Sequence, residues 1–234
     1  MKIKNAKILI TGGSSGIGLA TAALLIKKGA QVVISGRHKK TLTLAAESIG
    51  AIPIVADVSD EKSVKQLVQK SIKQLGGLDV LINNAGFGYF EALQNIDTQK
   101  FKEILDTNVV GAMLCGRECA NYFITQKHGN IINVASTSAL KGHQNGTAYS
   151  TSKWALRGMT ECWRDELRQY NIRVMMVHPS EVQTNFVTNS GRQNRDFNAT
   201  KLEAQDVAHL MVSMLELRNV GFIPEATIWS TNPQ

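Results

Sequence analysis

Short apolar runs alternate with amphipathic segments of helical period along almost the whole chain, and this restricts the fold to a sheet whose strands are joined by helical crossovers. The runs read as seven strands, at Lys7 to Thr11, Gln31 to Ser35, Ile52 to Val55, Val80 to Asn83, Asn130 to Ala135, Ile172 to His178 and Ala226 to Ser230. Helices are predicted at Gly16 to Lys28, Lys40 to Ile49, Glu61 to Leu75, Thr98 to Thr125, Tyr149 to Tyr170 and Ala204 to Leu217. A helical crossover brings each strand back parallel to the one before it. Val80-Leu81-Ile82 has no polar face, so helices must cover both sides of the sheet. The prediction is a doubly wound α/β fold, a seven-stranded parallel sheet with helices on both faces.

The 234 residues suffice for one such domain, expected to span 1–234. No run is apolar and long enough for a bilayer, and Met1-Lys2-Ile3-Lys4 leads into Ile8-Leu9-Ile10, too short for a secretion signal. A cytoplasmic protein without membrane contact is expected. Three cysteines fit a reducing compartment, and Cys115 and Cys119, one helical turn apart with no further ligands nearby, read as packing and not as a metal site. The net charge of +7 is spread over several amphipathic segments. No basic stripe interleaved with aromatics appears, so the charge reads as a solvated face and not as a nucleic-acid site.

Between the first strand and first helix lies Thr11-Gly12-Gly13-Ser14-Ser15-Gly16-Ile17-Gly18. Gly12, Gly16 and Gly18 let the backbone turn sharply and approach a phosphate, as in a Rossmann fold, and the helix start offers free N–H groups. Ser14 and Ser15 add hydroxyl donors. The second strand ends in Ser35-Gly36-Arg37-His38-Lys39-Lys40, where dinucleotide enzymes select the adenosine ribose. With no carboxylate there, Arg37 favours the 2′-phosphate of NADP, with NAD as the alternative cofactor. The polar, irregular stretch Thr184 to Thr200 reads as a mobile lid.

Tyr149 and Lys153 stand one helical turn apart, downstream of Ser136. A free phenol ionises only well above neutrality. An ammonium at about 4 Å, at an effective dielectric of about 20, favours the phenolate by about 4 kcal/mol. Tyr149 can therefore serve as an acid-base group near neutral pH.

With Asp57-Val58, Asn83-Asn84-Ala85-Gly86 and Asn108 in register, the chain from Lys7 to Thr184 resembles the short-chain dehydrogenase/reductase family, single-domain branch. The resemblance implies that Tyr149 exchanges a proton with the carbonyl or alcohol oxygen, that Ser136 hydrogen-bonds that oxygen, and that Lys153 lowers the tyrosine pKa and holds the nicotinamide ribose. Asn108 would hold a water linking Lys153 to solvent. Asp57 and Val58 would contact adenine, and Ile17, Asn84, Ala85 and Gly86 would border the cofactor. Pro179, Val182 and Thr184 would meet its carboxamide end, beside Tyr149 and Lys153.

The chain departs from the family in carrying Pro179-Ser180-Glu181 where Pro-Gly is usual. Glu181 puts a carboxylate at the pocket mouth, facing substrate or water. His178 reads as structural, and His143 as a candidate substrate contact. The C-terminus lacks the glycine-rich tail that many relatives use in tetramer packing, which leaves the oligomer open; the resemblance implies a homodimer through the helices at Thr98 to Thr125 and Tyr149 to Tyr170, with a homotetramer as the alternative. The implied activity is an NADP-preferring oxidoreductase interconverting a ketone or aldehyde with an alcohol by hydride transfer to or from a small molecule. A 3-oxoacyl-[acyl-carrier-protein] reductase, or a pteridine or general carbonyl reductase, would be one such enzyme. A non-catalytic NADP-binding sensor is the alternative from another class, and a sugar epimerase would need a further domain.

Overall fold

The computed structural model describes residues 1–191 and 196–232, with Thr188 and Asn189 described by backbone alone. Seven strands form one parallel sheet: β1 (Lys7–Thr11), β2 (Gln31–Gly36), β3 (Ile52–Val55), β4 (Val80–Asn83), β5 (Gly129–Val134), β6 (Ile172–Pro179) and β9 (Glu225–Ile228), in the order β3-β2-β1-β4-β5-β6-β9. The chain winds outward from β1 to β3, then returns to lay β4 on the other side of β1. A crevice opens at the strands' C-terminal ends where the winding reverses, and ligands of such sheets bind there.

Alternation along the strands sorts the core. Ile8, Ile10, Val32, Ile34, Val80 and Ile82 face a layer made by α1 (Gly16–Lys27), α2 (Lys39–Ile49) and α8 (Ala204–Glu216). Leu9, Val33, Leu81, Ile131 and Val174 face the other layer, with Val64 and Leu67 of α3 (Glu61–Leu75) and Leu114, Cys115 and Phe123 of α5 (Gly111–Gln126). Each fully buried aliphatic contributes about 1.5–3 kcal/mol. Cys115 and Cys119 are packed here, and burial pushes the Cys115 thiol up to about 12. The starts of β5 and β6 are tied to the end of α8 by Arg173 of β6, whose guanidinium donates to Asn130 Oδ1 at 2.6 Å and to the carbonyls of Leu215 and Leu217 at 3.1 and 3.3 Å. It thereby caps the C-terminal end of α8.

The predicted helix from Thr98 to Thr125 is interrupted. α4 (Thr98–Leu105) passes into a π turn over Asp106–Val110 before α5 begins, and the Gly111 N–H reaches back to Asp106 O. Tertiary contacts draw the extra residue in. Asn108 is held by groups outside its helix, and a Cβ on Gly111 would lie 2.8 Å from Val58 Cγ2.

The stretch from Thr184 to Thr200 also differs from the irregular loop expected. A helical turn, α7 (Phe186–Asn189), lies within it, and β7 (Val182–Gln183) pairs in parallel with β8 (Leu202–Glu203) at its base. Two-residue strands carry no readable period. Residues 192–195 of the expected lid lie outside the described residues, as do 233–234 of the expected domain. The last strand of the main sheet ends at Ile228 and not Ser230, because Ser180 N–H bonds Ile228 O while Ser230 Oγ turns away to accept from Leu202 N–H.

Candidate active site

The site starts where β1 and β4 end side by side. Thr11 Oγ1 accepts the N–H groups of Asn84 and Ala85, each at 3.1 Å, and Asn84 Nδ2 donates to the carbonyls of Thr11 and Gly12 at 3.0 and 2.9 Å. Gly12 has φ +64°, and a Cβ there would lie 2.8 Å from Ala85 Cα. At Gly18 a Cβ would lie 2.5 Å from both Gly12 O and Asn84 Nδ2. Only glycine lets α1 press against this turn. Ser15, the residue before α1, makes no capping bond with its side chain, and the first turn carries no acid. The opening N–H groups and positive end of α1 are thus available to an anion.

From this turn a cleft of about 1090 Å³ extends both ways along the strand ends. Ser14, Ser15, Gly16 and Ile17 border it, as do Arg37, Asp57 and Val58 toward the outer strands. Of the cations at the β2 tip, Arg37 borders the cleft, whereas Lys39 and Lys40 are not among its lining residues. Asp57 is set by its own turn: Oδ1 accepts from Ser59 N–H at 3.0 Å and Ser59 Oγ at 2.7 Å. Asn84, Ala85 and Gly86 form the floor, and Pro179, Val182 and Thr184 form the opposite wall, with Thr184 Cβ 3.4 Å from where a Gly16 Cβ would lie. Gly18 lies beneath the turn and Asn108 behind the floor, so neither borders the cleft.

Ser136, Tyr149 and Lys153 converge on the inner end. Ser136 follows β5; its Oγ accepts Ser138 N–H at 3.1 Å, and its carbonyl accepts Ala139 N–H at 2.9 Å. Tyr149 and Lys153 project from α6 (Thr147–Leu167), with Lys153 Nζ 5.7 Å from the Tyr149 ring centroid and donating to Val134 O at 3.0 Å. Burial lowers the Lys153 pKa from 10.5 to about 8. Charging a lysine in so dry a place is unfavourable.

The Asn108 side chain is engaged at both ends. Oδ1 accepts Phe87 N–H at 3.0 Å, and Nδ2 donates to Phe87 O at 2.9 Å and to Ser152 Oγ at 3.0 Å. Ser152 Oγ in turn donates to Tyr149 O at 2.7 Å. The side chain therefore locks the π turn to the helix of Tyr149. Gly86 gives it room: a Cβ there would lie 2.9 Å from Asn108 Oδ1 and 3.7 Å from Lys153 Nζ.

Sequence reasoning singled out His143 but missed Phe90 and Phe186 as the rings against Tyr149. Phe90 and Phe186 flank it at 5.2 and 5.4 Å between centroids, and His143 stacks on Phe90 at 5.9 Å. Three separate loops supply these rings, so no local spacing could reveal them. His143 Nε2 lies 3.2 Å from Ser138 Oγ and Nδ1 lies 3.0 Å from Gln144 O. Glu181 borders the mouth and pairs with Lys201 at 2.8 Å.

A glycine turn at the switch point of a parallel sheet thus opens into the same cleft as Ser136, Tyr149 and Lys153, an arrangement suited to a dinucleotide-dependent oxidoreductase. Comparison with known proteins narrows the class. A family profile described as short chain dehydrogenase matches residues 6–195. An uncharacterised oxidoreductase of Listeria monocytogenes is 34% identical over 212 residues, covering 88% of this chain and 86% of that protein. A 3-oxoacyl-[acyl-carrier-protein] reductase of Thermotoga maritima is 34% identical over 189 residues, covering 79% and 77%. The crystal structure of a metagenomic short-chain oxidoreductase in complex with NADP superimposes with a TM-score of 0.85 at 27% identity, covering 99% of this chain and 100% of that one. The chain belongs to the short-chain dehydrogenase/reductase family and is an NAD(P)-dependent oxidoreductase acting on CH–OH groups. Among the described residues, no helix is long and apolar enough to cross a membrane.

Proposed function

We propose that the protein is an NADP-preferring enzyme that interconverts a ketone or aldehyde with the corresponding alcohol, with Tyr149 as the acid-base group. The convergence of Ser136, Tyr149 and Lys153 on the cleft that begins at the α1 N-terminus carries this reading. The residues present fit the cofactor. The turn at Gly12 to Gly18 and the open start of α1 suit a pyrophosphate, Asp57 and Val58 suit adenine, and Arg37, which has no ion pair among the described residues, suits a 2′-phosphate. Pro179, Val182 and Thr184 would border the nicotinamide end, and Lys153 the adjoining ribose.

The bound cofactor supplies the hydride to the carbonyl carbon in reduction. Tyr149 donates its phenolic proton to the carbonyl oxygen, completing the alcohol, and Ser136 O–H hydrogen-bonds the same oxygen as charge develops on it. The Ser138 N–H bond to Ser136 Oγ orients that hydroxyl. The ammonium of Lys153 steadies the phenolate left behind. Asn108, bonded to Phe87 and Ser152, would steady the backbone beside Lys153.

The rings of Phe90, Phe186 and His143 favour a compact, largely apolar carbonyl compound. Likeness to the Thermotoga reductase supports a second reading, reduction of 3-oxoacyl thioesters. A carbonyl panel that includes acyl thioesters, followed by NADPH absorbance, separates the two. NADPH binding without turnover of any carbonyl would mark a sensor. Tyr149→Phe is expected to lower kcat by about 10²–10⁴-fold with NADPH affinity retained; full activity would overturn the acid-base assignment. Arg37→Asp is expected to weaken NADPH by about 10-fold or more and favour NADH; unchanged selectivity would show that the 2′-phosphate is held elsewhere. One catalytic domain, acting in the cytoplasm as a homodimer through the stretches Thr98 to Thr125 and Tyr149 to Tyr170 or as a homotetramer, completes the proposal.

A further inference from the structure

His178 is a buried polar group that the proposed chemistry leaves unused. It is 1% exposed and next to last in β6. Its Nδ1 lies 3.2 Å from Ser136 O and its Nε2 lies 3.3 Å from Glu225 Oε2. The β5–β6 ladder stops here: Ala135 N–H bonds Val177 O at 2.9 Å, and the next donor in line on β6 would be Pro179, which has no N–H. The chain therefore leaves the sheet at the very residue whose hydroxyl must be aimed. A carbonyl only accepts, so the contact with Ser136 requires the His178 proton on Nδ1, and with the Ala139 N–H it fills both acceptor positions of Ser136 O.

The other ring nitrogen faces the Glu225 carboxylate, which can accept from it only when Nε2 carries a proton as well as Nδ1. Glu225, on β9, also faces Arg157 Nη2 at 3.4 Å and Arg164 Nη2 at 3.8 Å, both on α6. Contacts thus run from Ser136 through His178 and Glu225 back to the helix that carries Tyr149 and Lys153.

We propose that His178, through its Nδ1–H, is a positioning residue that fixes the Ser136 backbone and so aims its hydroxyl at the oxygen facing Tyr149. The inference rests on the carbonyl-reductase reading for its kinetic part. Asparagine places an amide N–H where Nδ1 stands, glutamine places one where Nε2 stands, and leucine places none. In His178→Asn, kcat should stay within about 3-fold of wild type, whereas His178→Gln and His178→Leu should lower it by about 10-fold or more, all with unchanged NADPH affinity. Hydrogen exchange in the segment from Ala135 to Leu140, measured without cofactor, should quicken in the glutamine and leucine variants and not in the asparagine variant.

Glutamine matching asparagine in rate and exchange, leucine behaving as wild type, or all three losing NADPH affinity alike would overturn the proposal. If leucine does not fold, the asparagine-glutamine contrast decides. A wild type that reduces no carbonyl sinks the proposed function alone, and the exchange pattern still tests His178.

Discussion

The two walls of the cleft are held by different physics. On one side, the turn from Gly12 to Gly18 is fixed by steric exclusion: backbone of β1, β4 and α1 meets with no space for a Cβ at Gly12 or Gly18. On the other, Val182 and Phe186 pack against apolar clusters, and the two ends of the strap from Ser180 to Glu203 are joined by polar side chains. Gln183 Nε2 donates to Asn198 O at 2.8 Å, Asn198 N–H returns a bond to Gln183 Oε1 at 2.7 Å, and Lys201 pairs with Glu181. Close packing has no solvent substitute, whereas water can replace each partner in an exposed polar bond at small cost. The glycine wall thus rests on contacts that water cannot replace, whereas the opposite wall rests in part on polar bonds that it can.

Gly18→Val should show the largest effect, a loss of about 3 kcal/mol in denaturant unfolding and of measurable NADPH binding, because the neighbours of Gly18 are backbone and a committed amide. A variant with unchanged midpoint would mean that the turn is softer than its distances suggest. Lys153→Met sharpens the contrast from a third position, where burial works against charge. The depression from 10.5 to about 8 corresponds to about 3 kcal/mol at neutral pH, less about 1 kcal/mol for the lost bond to Val134 O, so the inactive variant should be more stable than wild type by about 2 kcal/mol. Because the folded pKa is the lower one, the unfolded chain holds the proton more tightly and wild-type stability rises with pH between about 8 and 10.5. The advantage of the variant should shrink across that window in melting experiments, and a constant advantage would refute the assigned cause. Lys201→Ala should cost under about 1 kcal/mol, as an exposed pair does. A larger loss would make the strap part of the rigid frame.

The strands, the helices and the nucleotide turn are legible in the sequence because each rests on local pattern. Val80-Leu81-Ile82 admits only a doubly covered strand, and Gly12 to Gly18 fall between a strand and a helix. Tyr149 and Lys153 share a face by helical spacing alone. What escaped the reading depends on partners distant in the chain. Asn108 finds Phe87 and Ser152 only after β4 and α6 are in place, and Gln183 finds Asn198 across the strap. Glu181, left open between substrate and water, is part of an ion pair because Lys201 returns beside it through β8. His178 reads as one more strand-end side chain until Ser136 and Glu225 stand on either side of it.

The wide turn at Asp106–Val110 makes the chain's length at that point matter as much as its composition. It divides a long rod into two arms, with Ile104 buried from the first and Leu114 and Cys115 from the second. Deleting one residue would restore an uninterrupted rod but rotate one arm against the other by about 100° and draw it back by about 1.5 Å. Either the first arm would turn Ile104 out to solvent, or the second would lose its seat against the sheet.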